Sequence, residues 1–216
     1  MNVLALDGAL GPFSCCFTDG RRYVTAHSAG NDALEAGLSA VARVLRDAGA
    51  GPGMLDRIAV GIGPGSFTGL RIAVSYAKGL SLAWDVPLVG ISSHDALEPD
   101  GLALPVMTVV SGRAGIICAR LRTADGSRSR CGAVVEVLDE LANAPHDDEI
   151  AVVGATEDVL SALGERGLNV KSVPPRTLRP AEALAQLATR FAPAVSPHAV
   201  RPDYGEMPAA KVPRFR

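Results

Sequence analysis

Gly61-Ile62-Gly63-Pro64-Gly65-Ser66-Phe67-Thr68-Gly69 overlaps the end of the apolar run Ile58–Ile62 and leads into a stretch free of proline as far as Trp84. The spacing predicts a buried strand, a glycine-rich turn and a helix beginning at Ser66 or Phe67, which marks an α/β chain. The expected helix is unusual. Between Ser66 and Trp84 its only charges are Arg71 and Lys78, seven residues apart and therefore on one face. Gly69, Ala73, Ala77 and Ser81, each four apart, form a stripe of small residues, while Ile72, Val74, Tyr76, Leu80 and Leu82 spread apolar surface around the rest. A helix on a monomer surface normally carries one apolar stripe and a broad polar face. This one needs cover on two sides: its own sheet, and either another part of the chain or another subunit. The small stripe permits close helix approach.

The glycine turn has the layout that seats phosphate at a helix N-terminus. It completes neither familiar motif. Leu70-Arg71 follows Gly69 where a Walker A loop has Lys-Ser/Thr, and both Gly-x-Gly registers lack the third glycine of a dinucleotide fingerprint. Gly61, Gly63, Pro64, Gly65 and Ser66 are therefore expected to form a structural turn that positions the helix.

Working towards the N-terminus, Leu34, Leu38, Val41 and Leu45 fall at helical spacing on one face of a helix capped by Asn31 or Asp32 and ended by Gly49 and Gly51. Before it, Asn2–Leu6, Phe13–Phe17 and Arg22–Ala26 read as an antiparallel three-strand meander with a turn at Asp19-Gly20. Pro87–Ile91 is a further strand, so the first half reads βββαβαβ. Ser93–Leu102 reads as a connection between lobes. Beyond it, Pro105–Val110, Gly115–Leu121, Ala133–Val137 and Ile150–Val153 are expected strands, with helices at Thr156–Leu163 and Pro180–Phe191 and an irregular Pro-rich tail from Pro193. The rough repeat of order suggests two duplicated lobes, 1–98 and 99–216.

Composition bounds the function. The 216 residues are 48% hydrophobic and 20% charged with a net charge of −2, and aromatics are 4%. That leaves neither a basic footprint for phosphate backbones nor many rings for stacking bases. Arg120, Arg122, Arg128 and Arg130 read as a solvated face. The opening Met1–Asp7 lacks a basic leader, and no apolar run reaches the roughly 20 residues of a membrane span. The four cysteines form no Cys-x-x-Cys, and reduced, packed thiols of a cytoplasmic protein are expected. His94, His146 and His198 show no ligand spacing, and an isolated histidine of this kind is expected at the surface or at a cap.

The run Gly61–Ile72, continued by Ala77-Lys78-Gly79-Leu80 and Pro87–Ser93, with His27-Ser28 ahead of the first helix, closely resembles the hallmark of the TsaB (YeaZ) family. The resemblance covers about the first hundred residues. It implies an α/β, actin-like/Hsp70-like (ribonuclease H-like) fold of two lobes with mixed sheets flanked by helices. It also implies a non-catalytic scaffold that supports threonylcarbamoylation of the adenosine next to the anticodon in tRNAs reading codons that begin with A. The implied partners are a TsaD-like catalytic subunit, a TsaE-like ATPase and, through the complex, tRNA, with a homodimer in isolation and no membrane. No cofactor is expected on this subunit, ATP and metal lying on its partners. Pairing would use the first two helices, through Leu34, Leu38, Val41, Phe67, Thr68, Gly69, Leu70, Arg71, Ala73, Val74, Ala77, Lys78 and Ser81.

The catalytic relative carries His-x-x-x-His, whereas here His27 is followed four residues on by Asn31. Asp7-Gly8-Ala9 replaces the usual Asp-Thr-Ser, Ser111-Gly112-Arg113 the usual Asp-Ala-Arg, and Gly205-Glu206 the usual Leu-Arg. The alternatives are an independent nucleotide-binding protein and a metal peptidase-like enzyme.

Overall fold

The structure, a computed structural model, describes residues 1–28, 33–113, 115–142 and 149–205, with the side chains of 33–35 and 142 outside that description. The expected cap at Asn31 or Asp32 and the Leu34 side chain therefore lie outside the described residues.

The first lobe runs β1 (Val3–Asp7), β2 (Ser14–Thr18), β3 (Tyr23–His27), α1 (Ala33–Ala48), β4 (Arg57–Gly63), α2 (Phe67–Trp84), β5 (Leu88–Ser92) and α3 (Ser93–Leu97). Its sheet has the order β3-β2-β1-β4-β5. β1 to β3 pair antiparallel, Leu4 facing Phe17, and β4 lies parallel to β1 with Leu4 beside Ile58. Every residue of β1 is buried, so both faces of the sheet are covered and the alternation of a half-exposed strand is absent. Leu4, Leu6, Ile58 and Val60 point to the side packed by α1 and α2. Val3, Ala5, Ala59 and Val89 point the other way, on to a helix from the far end of the chain.

The second lobe repeats the plan with β6 (Val106–Ser111), β7 (Ile116–Thr123), β8 (Gly126–Ala133), α4 (Val134–Ala142), β9 (Ile150–Val153), α5 (Glu157–Glu165), β10 (Val170–Val173) and α6 (Pro180–Leu187). Its sheet order, β10-β9-β6-β7-β8, maps strand for strand on to the first. The mixed sheets, duplicated order and flanking helices are those of a two-lobed actin-like fold.

Several expectations change. Ala133–Val137 is not a strand: β8 ends at Ala133 and Val134 opens α4. β8 is an edge strand exposed from Gly126 to Arg130, so it lacks the apolar alternation that marks a strand. α3 and β10 were not expected, each being only four or five residues long. The chain after β10 does not stay with the second lobe. α6 and its C-cap bury Ala181, Leu184, Ala185 and Ala188 against the first sheet. Thr25 donates to Glu182 at 2.8 Å, and Arg57 donates to the carbonyls of Ala188 and Phe191 at 2.7 and 2.8 Å. The 99–216 unit is thus split: its sheet forms the second lobe, and its C-terminal segment clamps the first.

The four arginines are not one solvated face. Arg120 is largely buried and bonds Asp95 at 2.7 Å and Glu98 at 3.0 Å, while Arg122 pairs with Glu98 and Arg130 with Glu140. The cysteines also differ from expectation. Cys118 and Cys131 stand directly opposite across β7 and β8 and form a disulfide. Cys15 and Cys16 are free and buried on opposite faces of β2, where burial pushes both thiols up to about 12. No helix of the described residues is long and apolar enough to cross a membrane.

Candidate functional site

α2 starts where Ser66 turns its hydroxyl back to accept from Gly69 N at 3.3 Å, and it ends at Asp85 in a left-handed cap. The glycine turn brings four segments together. Ser66 N donates to the Ala9 carbonyl at 2.8 Å, fixing the turn against the loop after β1. Gly63 has φ +101 and lies against the carbonyl of Asp203, whose own N–H donates to Ile62 at 2.6 Å. Gly61 faces the Asp7 carboxylate. Pro64 is buried, and Gly65 is half-buried.

The structure divides the expected interface residues in two. Leu70, Ala73, Val74, Ala77 and Ser81 are buried inside the chain, and Val41 of α1 is buried with them. The small stripe faces its own sheet rather than a partner. Its size is dictated by close approach: Gly69 crosses the backbone of Gly8 with no room for a Cβ on either residue. Phe67, Thr68 and Arg71 are exposed, and Gly69 and Lys78 are half-buried. The outward face of α2 continues through Ser75, Gly79, Leu82 and Ala83, none of them among the expected pairing residues although the 3.6-residue period places them there. Leu38 on α1 is 48% exposed, Phe67 43% and Leu82 53%. α1 meets α2 where Gly37 packs under the Tyr76 ring.

At the head of α2, Arg71 lies over the Phe67 ring at 3.8 Å and donates to the Tyr204 hydroxyl at 3.0 Å, while the Phe67 and Tyr204 rings stand 4.9 Å apart. Tyr204 comes from the returning C-terminal segment, a contribution that nothing in helix or strand periodicity marks.

Beside this stack opens the cleft between the lobes, a cavity of about 1030 Å³. Leu10, Leu97, Val109, Val110 and Ile116 give it apolar walls, and Ser66, Ser111 and Arg113 supply polar groups. Asp7 sits below it, bonded to Leu10 N at 3.0 Å, and burial raises its carboxyl to about 6. His94, expected at the surface or at a cap, is instead buried and held at 3.2 Å by the Cys118 carbonyl; burial lowers its pKa. No three His, Cys, Asp or Glu side chains converge among the described residues.

Known proteins resemble the chain in sequence and in fold. The family model described as TsaD, tRNA N6-adenosine threonylcarbamoyltransferase, matches residues 27–201. A tRNA N6-adenosine threonylcarbamoyltransferase of Nitratidesulfovibrio vulgaris is 49% identical over 60 residues, which is 27% of this chain and 17% of that protein. The tRNA threonylcarbamoyladenosine biosynthesis protein TsaB of Bacillus subtilis is 37% identical over 81 residues, 35% of each chain. The matched stretches thus span about a third or less of these curated relatives. In structure, a Pseudomonas aeruginosa protein similar to peptidase YeaZ superposes with TM-score 0.70 at 22% identity, covering 95% of this chain and 99% of that one. YeaZ from Pseudomonas aeruginosa gives 0.66 at 23% identity, covering 94% and 99%. The chain belongs to the TsaD family and matches TsaB (YeaZ) proteins in fold along nearly its whole length.

Proposed function

We propose that this chain is a non-catalytic scaffold subunit in the formation of tRNA threonylcarbamoyladenosine, and that it works by pairing with a TsaD-type catalytic subunit. The observation that carries the reading is the outward face of α2 with its neighbour α1. Phe67, Leu82 and Leu38 stand exposed on two adjacent helices whose other faces are already buried in the sheet. Phe67 and Leu82 stand near opposite ends of α2, so a partner lying along the helix would cover both. Arg71, which lies over the Phe67 ring and bonds the Tyr204 hydroxyl, has the character of an interface anchor. In this reading TsaE-type ATPase and tRNA are reached through the complex, ATP and metal belong to the partners, and the protein works in the cytoplasm. Alone, the same face would pair with a second copy.

The test is size-exclusion chromatography of the chain alone and with its cognate TsaD-type subunit. A shared peak supports the reading; separate peaks at micromolar concentration reject it.

A second reading, nucleotide binding by the isolated chain, is favoured by the cleft, where Ser66 at the head of α2 and the backbones of Gly11, Gly65, Gly112 and Gly154 line one cavity. Calorimetry with ATP and ADP on the lone chain separates it from the scaffold reading.

A further inference from the structure

Cys118 and Cys131 face each other across β7 and β8 and are bonded, and Gly205 of the C-terminal segment lies directly over both sulfurs, where a Cβ would overlap them. Gly205 is tied to what precedes it: its N–H donates to the Asp203 carboxylate at 2.9 Å, and Asp203 N donates to Ile62 in the glycine turn. Tyr204, between them, completes the stack with Phe67 and Arg71 at the head of α2. One bonded sulfur pair therefore supports the seat of a segment that reaches from the second lobe to the first.

We propose that Cys118–Cys131 is a reversible thiol–disulfide site that sets the position of residues 202–205. Its reactant is a dithiol reductant. A thiolate of the reductant attacks the sulfur of Cys131, the more exposed of the two, and the S–S bond breaks. Cys118 leaves as a thiolate and takes up a proton. The second thiolate of the reductant then resolves the mixed disulfide, Cys131 is released as a thiol, and the reductant departs as its own disulfide. Two electrons and two protons have passed to the protein. The sulfurs then relax from bonded to van der Waals separation and each carries a hydrogen. Cys118 can turn towards the cleft it lines, but the Cys131 sulfur, the nearer of the two to Gly205, has the segment in its way. The segment must lift, and Tyr204 moves with it. The inference does not depend on what covers α2.

The test begins with thiol counting on the full chain, denatured and alkylated after equilibration in a buffer of reduced and oxidised dithiothreitol. Two reactive thiols are expected under oxidising conditions and all four cysteines under reducing ones; four under both overturns the proposal. Amide exchange then reads the segment. Exchange at Asp203, about tenfold faster on reduction, is expected in the native chain. In Cys118→Ala/Cys131→Ala, which has no sulfurs to separate, it is expected to be indifferent to reductant. Unchanged exchange in the native chain, or a response that persists in the alanine pair, overturns it.

Discussion

Gly8 and Gly69 cross with their backbones in contact: a Cβ on either would overlap the carbonyl of the other. This crossing sets how deeply the head of α2 sits on β1, and so where Phe67 and Arg71 emerge. Gly69→Ala should improve helix propensity by about 1 kcal/mol. We expect the opposite net effect, a loss of about 1–3 kcal/mol from overpacking against Gly8. Urea denaturation of the native chain and the variant decides it; a more stable variant would mean that the contact is slack.

Asp7 gives a pH dependence whose sign follows from burial. Its carboxyl is raised to about 6 in the folded chain from 3.8. Between those values the folded state keeps a proton that the unfolded state has released, so stability falls as pH rises through this window. Two pKa units correspond to about 3 kcal/mol. Asp7→Asn keeps an oxygen to accept from Leu10 N and does not titrate. Its stability relative to the native chain should rise by roughly that amount between pH 4 and pH 7. Parallel curves for the two proteins in chemical denaturation would show that Asp7 is not the group responsible.

What could be read in advance differs by element for physical reasons. α2 was legible because its cap at Ser66 and its end at Asp85 are local, and β1 and β4 because strands buried along most of their length read as nearly continuous apolar runs. The direction in which α2 faces was not. Ala73, Ala77 and Ser81 form one small stripe and Thr68, Ser75 and Gly79 another, and only the crossing with Gly8, distant in sequence, selects the buried one. β8 escaped notice because Ser127–Arg130 faces solvent on a sheet edge, and with β8 misplaced the register that sets Cys131 against Cys118 was invisible. Tyr204 reaches the head of α2 through a segment with no periodicity at all.

Glu98 should matter more to stability than its place in a connector suggests. Its carboxylate accepts from Arg120 at 3.0 Å and from Thr108 at 3.1 Å, and it also pairs with Arg122. Thr108 is fully buried and Arg120 nearly so. Glu98→Ala leaves the Arg120 guanidinium with Asp95 as its one carboxylate and the Thr108 hydroxyl without the carboxylate that accepts from it. Breaking such a buried pair costs about 3 kcal/mol. Arg122→Ala, at a site 35% exposed, should cost under about 1 kcal/mol. Equal losses in thermal and urea unfolding would place the network at the surface energetically.

The two faces of α2 can be told apart by one substitution on each. Ala77 is wholly buried against the sheet, and Leu82, five residues later, is more than half exposed. Ala77→Glu places an unpaired carboxylate in the core and should unfold the chain or destabilise it by several kcal/mol. Leu82→Glu should leave the isolated chain within about 0.5 kcal/mol of the native stability. If the outward face is where a partner docks, Leu82→Glu should weaken co-elution with the TsaD-type subunit at least tenfold, because a charge must then be desolvated against an apolar contact. Far-UV circular dichroism and denaturation report the first effect and analytical size exclusion the second. A Leu82→Glu chain that folds normally and binds with undiminished affinity would move the interface elsewhere on the molecule.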